Sequence, residues 1–325
     1  MSLDLRAMLV TAGFGTRLSP LTDLLPKPAV PVANRPLAWY ALDHLYRSGV
    51  RDLVLNTHHL AAALEAEVTR FAPPDLRLRF VYEPEILGTG GGVRNAWARP
   101  QPGETFLVMN GKVIFAPDLA AALRAHREQR ALATMVLTHS PGTRGFGDIE
   151  IDAEGWVRRL RRAPPRAAGA PELRPMFYTG ISLLSDRAFA DLPENGCLIG
   201  DAYQHWVDRG ERVLGVIDPD VCRDAGMSLY HYWEANHALL TGRVKWPGIA
   251  PDASEVLRDA DVDLPRGAIV ERSAIGRGTQ IAPGVRVTDA VIWPGARVGS
   301  DVASAIVLPD GRTLSPNPPS GTTTP

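Results

Sequence analysis

Val10-Thr11-Ala12-Gly13-Phe14-Gly15-Thr16-Arg17-Leu18-Ser19-Pro20-Leu21-Thr22-Asp23-Leu24-Leu25-Pro26-Lys27-Pro28-Ala29-Val30-Pro31-Val32-Ala33-Asn34-Arg35-Pro36 begins at the end of a short apolar run, residues 7–10. The run reads as a strand, and Ala12, Gly13, Gly15 and Thr16 read as a turn that leaves it. Glycines let a backbone approach a phosphate, and their N–H groups can line an anion nest. Arg17 and Lys27 add the positive charge a triphosphate needs. Prolines on both sides of Lys27 fix its backbone. Two familiar phosphate loops are excluded. There is no Gly-x-x-x-x-Gly-Lys-Ser/Thr, and Leu18 stands where a dinucleotide fingerprint needs its third glycine.

Outward from this loop the chain alternates. Residues 53–56, 78–82, 106–109 and 134–138 are short apolar strands, and residues 36–47, 60–71 and 117–129 carry helical patterns. This spacing predicts an α/β fold, a Rossmann-like, mostly parallel sheet covered on both faces. Ligands of such sheets lie at the carboxyl ends of the strands, so the turns after Val10, Tyr82 and Met109 are the first candidates for function. A length of 325 residues allows one large domain and a smaller one. With 35 basic and 36 acidic residues, there is no basic field for nucleic acid or a membrane surface. Cys197 and Cys222 have no metal or redox spacing and are expected to be buried, reduced thiols. No signal-peptide pattern or bilayer-length apolar run is visible, and the expected location is the cytoplasm.

The text changes after Gly242. Residues 243–263 read as a linker. From Leu264 branched apolar residues recur near every sixth position: Ile269, Ile275, Ile281, Val285, Val291 and, one residue late, Val298. This resembles the hexapeptide repeat of a left-handed parallel β-helix, expected over residues 264–315 as an assembly or spacer element through which the chain could form a homo-oligomer. Trp293 is expected to pack there, and residues 316–325 form a flexible tail.

Taken together, residues 10–36 resemble the signature of the sugar-1-phosphate nucleotidyltransferases, or nucleotide-sugar pyrophosphorylases. The resemblance makes residues 1–242 the catalytic domain. It implies transfer of a nucleotidyl group from a nucleoside triphosphate to a sugar-1-phosphate, with release of pyrophosphate and with Mg²⁺ held between two aspartates. It places Ala12, Gly13, Gly15 and Thr16 on the nucleotide, Arg17 on the β- and γ-phosphates, and Lys27 on the α-phosphate or the sugar phosphate.

Further segments extend the resemblance. Glu83-Pro84-Glu85-Ile86-Leu87-Gly88-Thr89-Gly90-Gly91-Gly92 resembles the stretch that reads base and sugar, which puts Glu83, Gly88 and Thr89 at the nucleotide. A carboxylate suits the N–H donors of guanine and an amide suits uracil or thymine, so Glu83 favours guanine. Cys222-Arg223-Asp224-Ala225-Gly226 resembles the segment carrying a metal-binding aspartate, Asp224. Asn110, Gly147, Thr179, Gly180 and Asp201 fall at positions the family uses for the sugar, and Arg161 or Arg162 stands near the place of a family lysine. Asp118 reads as a helix cap.

One position departs from the pattern. In Asn110-Gly111-Lys112 the usual metal-binding aspartate is Lys112, and an ammonium cannot ligate Mg²⁺. Three readings stay open: an engineered substitution, an inactive or regulatory relative, or a lysine that partly replaces the metal. The combination of this domain with a repeat tail looks most like the mannose-1-phosphate guanylyltransferases, which implies GTP and mannose-1-phosphate. The alternatives are a uridylyltransferase acting on an N-acetylated sugar-1-phosphate and a nucleotide-sugar-binding regulatory subunit without turnover.

Overall fold

The computed structural model describes residues 5–98, 100–139, 148–160 and 172–318. Contacts divide the chain into two compact units that do not follow chain order. The first joins Met1–Phe14 to Ala38–Arg223, and the second joins Gly15–Leu37 to Asp224–Pro325.

The first unit is built on strands β1 (Arg6–Val10), β2 (Asp52–Thr57), β3 (Arg77–Tyr82), β4 (Thr105–Asn110), β5 (Ala133–Thr138), β6 (Asp148–Ile151), β7 (Val157–Arg159), β8 (Arg174–Ser185) and β9 (Val213–Ile217). They form one nine-stranded sheet in the order β7-β6-β8-β4-β1-β2-β3, with β5 paired to β8 and β9. The β4-β1-β2-β3 block and the β5-β9 pair are parallel, while β8 runs antiparallel to β4, β5 and β6. Helices α1 (Leu37–Arg47), α2 (Ala61–Phe71), α3 (Gly88–Ala96), α4 (Leu119–Glu128) and α5 (Gln204–Asp208) connect the strands. The five expected strands and three expected helices form within a residue or two of their expected bounds. Apolar strands buried on both faces explain this for the inner strands, with β5 buried at every position, while the edge strand β3 alternates between exposed and half-buried residues. Asp118 caps α4, its Oδ1 accepting from Ala121 N at 2.8 Å. Trp97 stacks on Phe106 at 4.8 Å within a core that also buries Met8, Met135 and Trp206.

In the second unit, Asp224–Pro325 carries helix α6 (Leu229–Leu240) and stacked coils of short strands. Among the described residues three small sheets make up the coils, parallel except where Thr313–Leu314 turns back beside Ile306–Val307. Ala274 lies beside Val291 and Val291 beside Ile306; Ile269 lies beside Arg286; Gln280 lies beside Arg297. Leu257–Arg258 already pairs with Ala274–Ile275. Ile275, Ile281, Val285, Val291 and Val298 are buried as expected, and so is Trp293. Ile269 is corrected: it is 40% exposed, and the next residue, Val270, takes the inward place. A shift of one residue along a strand turns a side chain to the opposite face.

Candidate functional site

In the first unit, the carboxyl ends of β1, β2, β3 and β4 converge. Val10 stands opposite Asn110 in the sheet, and Gly111 N donates to Val10 O at 3.1 Å. A Cβ on Gly111 would lie 2.6 Å from Thr11 Cγ2, so the two turns leave the sheet in contact. The turn after β1 is held by Asn56 at the end of β2. Thr11 N and Ala12 N donate to Asn56 Oδ1 at 2.7 and 3.2 Å, and the Thr11 hydroxyl donates to Asn56 O. Asn56 Nδ2 in turn donates to Glu83 Oε1 at 2.8 Å, and Leu87 N donates to Glu83 Oε2 at 3.1 Å.

Glu83, expected to read the base, lies inside the protein. Its side chain is 1% exposed and both carboxylate oxygens are engaged. It ties the glycine-rich turn to the turn before α3 and presents no free edge to a base. The chain Ala12–Asn56–Glu83–Leu87 was not legible in advance, although an asparagine at a strand's carboxyl end was the available signal. Phe14 was also passed over. It is 57% exposed and meets the His58 ring edge-on at 5.2 Å, while His58 Nδ1 donates to Glu83 O at 2.7 Å.

The glycine run has a packing reason. Gly90 N donates to Gly196 O at 2.8 Å, and a Cβ on Gly90 would lie 2.6 Å from Pro193 Cγ. Cβ atoms on Gly88 and Gly91 would strike the backbone oxygens of Gly196 and Glu194. Gly88 also has φ +72°, which favours glycine. Thr89 Oγ1 accepts from Leu198 N at 2.8 Å, and Asp201 Oδ2 accepts from Cys197 N at 2.6 Å. Gly88, Thr89 and Asp201 thus meet on the 196–201 segment, and the amides of α3 already serve a protein carbonyl. Cys197 is exposed and Cys222 half-buried, contrary to the expected burial. Cys197 heads the 198–203 helical turn, where Gly200 N donates to its Sγ at 3.4 Å.

Gly180 (φ +85°) sits at a bulge in β8, and a Cβ there would overlap the Asn110 side chain. Asn110 and Gly180, both expected on the sugar side, are neighbours. Thr179 is buried and its hydroxyl donates to Val136 O at 2.8 Å, so it closes the bulge. Lys112 is half-buried in the turn after Gly111. Gly147, Arg161 and Arg162 lie outside the described residues.

In the second unit, Gly15 has φ +67°, and a Cβ on it would lie 2.8 Å from Thr22 Cγ2 and 3.0 Å from Lys27 Cβ. The missing side chain lets Lys27 pack beneath the turn that carries Thr16 and Arg17. Leu18 N and Thr22 Oγ1 donate to Gly15 O at 2.9 and 3.3 Å. Thr16 and Arg17 are exposed, Leu18 and Leu21 are buried, and Lys27 is half-buried. Asp224 Oδ1 accepts from Gly226 N at 2.9 Å, while the cap of α6 is Ser228. Among the described residues no group of three or more His, Cys, Asp or Glu side chains is placed to hold a metal. The donor set does not fit a two-carboxylate Mg²⁺ site, because one of the two positions is an ammonium. No helix of the described residues is long and apolar enough to cross a membrane.

The chain is similar to several characterised proteins. It is 28% identical over 300 residues to a mannose-1-phosphate guanylyltransferase of Mycobacterium tuberculosis, covering 90% of this chain and 80% of the relative. It is 32% identical over 198 residues to an N-acetylmuramate alpha-1-phosphate uridylyltransferase of Caulobacter vibrioides, covering 58% of this chain and 78% of the relative. The crystal structure of HddC from Yersinia pseudotuberculosis complexed with GMP-PN shares the fold. Its TM-score is 0.60 at 20% identity, covering 71% of this chain and 98% of that one. The family described as nucleotidyl transferase matches residues 6–242, most of the chain including the glycine-rich turn, the Glu83 scaffold and the Asn110–Gly180 contact; the chain belongs to this family of enzymes.

Proposed function

We propose that the protein is a sugar-1-phosphate nucleotidyltransferase that transfers a guanylyl group from GTP to mannose-1-phosphate. The observation that carries this reading is the identity kept over most of the chain, 28% to a mannose-1-phosphate guanylyltransferase against 26% to a glucose-1-phosphate thymidylyltransferase that reaches as far. The Mycobacterium tuberculosis mannose-1-phosphate guanylyltransferase resembles this chain over 90% of its length, beyond the family's residues 6–242. The choice of guanine rests on that relative, since the Glu83 carboxylate is engaged within the protein.

In the proposed reaction, a sugar phosphate oxygen attacks the α-phosphorus in line. A P–O bond to the sugar phosphate forms, the bond to pyrophosphate breaks, and pyrophosphate leaves with its electron pair. No protein nucleophile is needed; the chain must align two anions and oppose the developing charge. The exposed Arg17 turn suits the β- and γ-phosphates, and Lys27, packed against Gly15, suits the phosphate nearer the sugar. Asn110, beside the Gly180 bulge, offers an amide to sugar hydroxyls. Lys112 supplies one positive charge in place of the family's aspartate.

A second reading has its own support: the 32% identity to the Caulobacter vibrioides uridylyltransferase favours UTP and an N-acetylated sugar. Titrating the protein with GTP, UTP and dTTP by calorimetry, then adding mannose-1-phosphate or N-acetylmuramate-1-phosphate and resolving products by chromatography, separates the two. Preferential GTP binding and a GDP-sugar product support the proposal. Preferential UTP binding and a UDP-sugar product overturn it.

A further inference from the structure

Within the second unit, the segment that carries Arg17 and Lys27 is pinned to α6 and the first coils. Pro31–Val32 and Arg35–Pro36 pair as an antiparallel hairpin whose two turn residues, Ala33 and Asn34, have φ +44° and +58°. Both central residues of such a tight turn need positive φ, and alanine adopts it at a cost on the order of 1 kcal/mol. The surroundings hold it there. Ala33 N donates to Asn236 Oδ1 at 2.7 Å, and Asn236 Nδ2 donates to Tyr232 O at 2.9 Å. The Tyr232 hydroxyl donates to Pro31 O and accepts from Trp293 Nε1 at 2.9 Å. Asn34 Nδ2 donates to Ile275 O at 2.8 Å and to Leu257 O at 3.3 Å, joining two adjacent coils. Tyr232 and Asn236 are fully buried and Trp293 is 2% exposed, so the Ala33–Asn236, Asn236–Tyr232 and Trp293–Tyr232 bonds are made away from water, while the bonds of Asn34 lie at a half-buried position.

The hairpin follows the Lys27–Ala29 turn directly: Val30 N donates to Lys27 O at 3.3 Å, and Leu37 N donates to Val30 O at 3.0 Å. Lys27 in turn lies against Gly15. Position is thus passed from the coils through Asn34 and Tyr232 to Lys27 and the Gly15 turn. A spacer would need no such bonds, and a surface hairpin would not bond its turn to a buried asparagine and a buried tyrosine.

We propose that the repeat coils and α6 are the seat of the Gly15–Leu37 segment, with Asn34, Tyr232 and Asn236 as positioning residues for Lys27. For the ligand, this rests on the nucleotidyltransferase reading. The repeat region then shapes triphosphate binding directly, whatever else it does. Asn34→Gly keeps the positive-φ turn and removes only the amide; Tyr232→Phe keeps the ring and removes only the hydroxyl. In the full-length protein, each should raise amide hydrogen exchange in residues 15–30 while leaving β1, β2 and β4 unchanged. Each should also weaken GTP binding about five- to tenfold, the scale of one net hydrogen bond lost from a positioned site. Unchanged exchange in residues 15–30 together with wild-type GTP affinity in both variants would overturn the proposal. A wild-type protein that binds no nucleotide, with exchange still raised in the variants, upholds the seat and faults the nucleotidyltransferase reading instead.

Discussion

Asn56 and Glu83 form a buried pair at the carboxyl ends of neighbouring parallel strands, Asn56 Nδ2 standing 2.8 Å from Glu83 Oε1. Through its remaining polar atom each side chain holds a turn: Asn56 Oδ1 the glycine-rich turn after β1, Glu83 Oε2 the turn before α3. A buried carboxylate with both oxygens satisfied acts on function by fixing the two walls around it.

Glu83→Gln tests that role. Its amide nitrogen must face either Asn56 Nδ2 or Leu87 N, both donors, which leaves a buried donor unpaired at a cost of about 1–3 kcal/mol. Thermal unfolding should fall accordingly. The ratio of GTP to UTP affinity should stay as in the wild type; a switch toward UTP would show that Glu83 reads the base after all.

Gly92 backs this pair. A Cβ there would lie 2.8 Å from Asn56 Nδ2 and 2.9 Å from Glu83 Oε1, both fixed by their partners. Gly92→Ala should therefore cost about 1–3 kcal/mol of stability although alanine favours helices. Gly103→Ala meets no atom within 4 Å but has φ +75°, so its cost comes from the backbone alone and should be smaller. Equal denaturation midpoints for Gly92→Ala and wild type would contradict the packing account.

Two buried histidines set an acid limit. Burial, reinforced by Arg47, lowers His44 to about 4, and burial, reinforced by Arg127 and Arg187, lowers His126 to about 4. Unfolding lets each take up a proton near its ordinary value of 6.5, so the folded state holds fewer protons between those limits. The stabilisation is full above about pH 6.5 and is lost as pH falls toward 4, at about 1.4 kcal/mol per pH unit for each histidine where the window is fully open. His126→Gln should flatten the fall of unfolding free energy with pH between 6 and 4.5 by about one proton's worth. An unchanged slope would show that His126 is not linked to folding.

The strands were legible because branched apolar runs of the right length carry a local signal, and the loop was legible because glycine permits and proline fixes unusual backbone turns locally. The internal bonds of Glu83 were hidden because its motif gives residue order and not burial; only the fold shows that Asn56 Nδ2 and Leu87 N donate to it. The close approach at Gly90 and Gly91 was hidden because the partner, Pro193–Gly196, is remote in sequence. The hairpin at Ala33 and Asn34 was equally hidden: its anchors, Asn236 and Ile275, lie some 200 or more residues away. In the repeat, the six-residue spacing located the coils, while Ile269 and Val270 exchanged faces because spacing alone tolerates a slip of one.

In the proposed reaction Lys112 limits turnover, and exchanging it tests the account most directly. The family pattern asks for carboxylates at positions 112 and 224, and the chain supplies only Asp224. Losing such transition-state charge stabilisation costs on the order of 10²- to 10³-fold in rate. The measurement is Mg²⁺-dependent pyrophosphate release from GTP and mannose-1-phosphate by the wild type, Lys112→Asp, and Lys112→Asp with Asp224→Ala. The account predicts GTP binding with very slow release by the wild type, a rise of about 10²-fold or more on Lys112→Asp, and its loss in the double variant. Release at ordinary enzyme rates by the wild type, unchanged by Lys112→Asp, would contradict it.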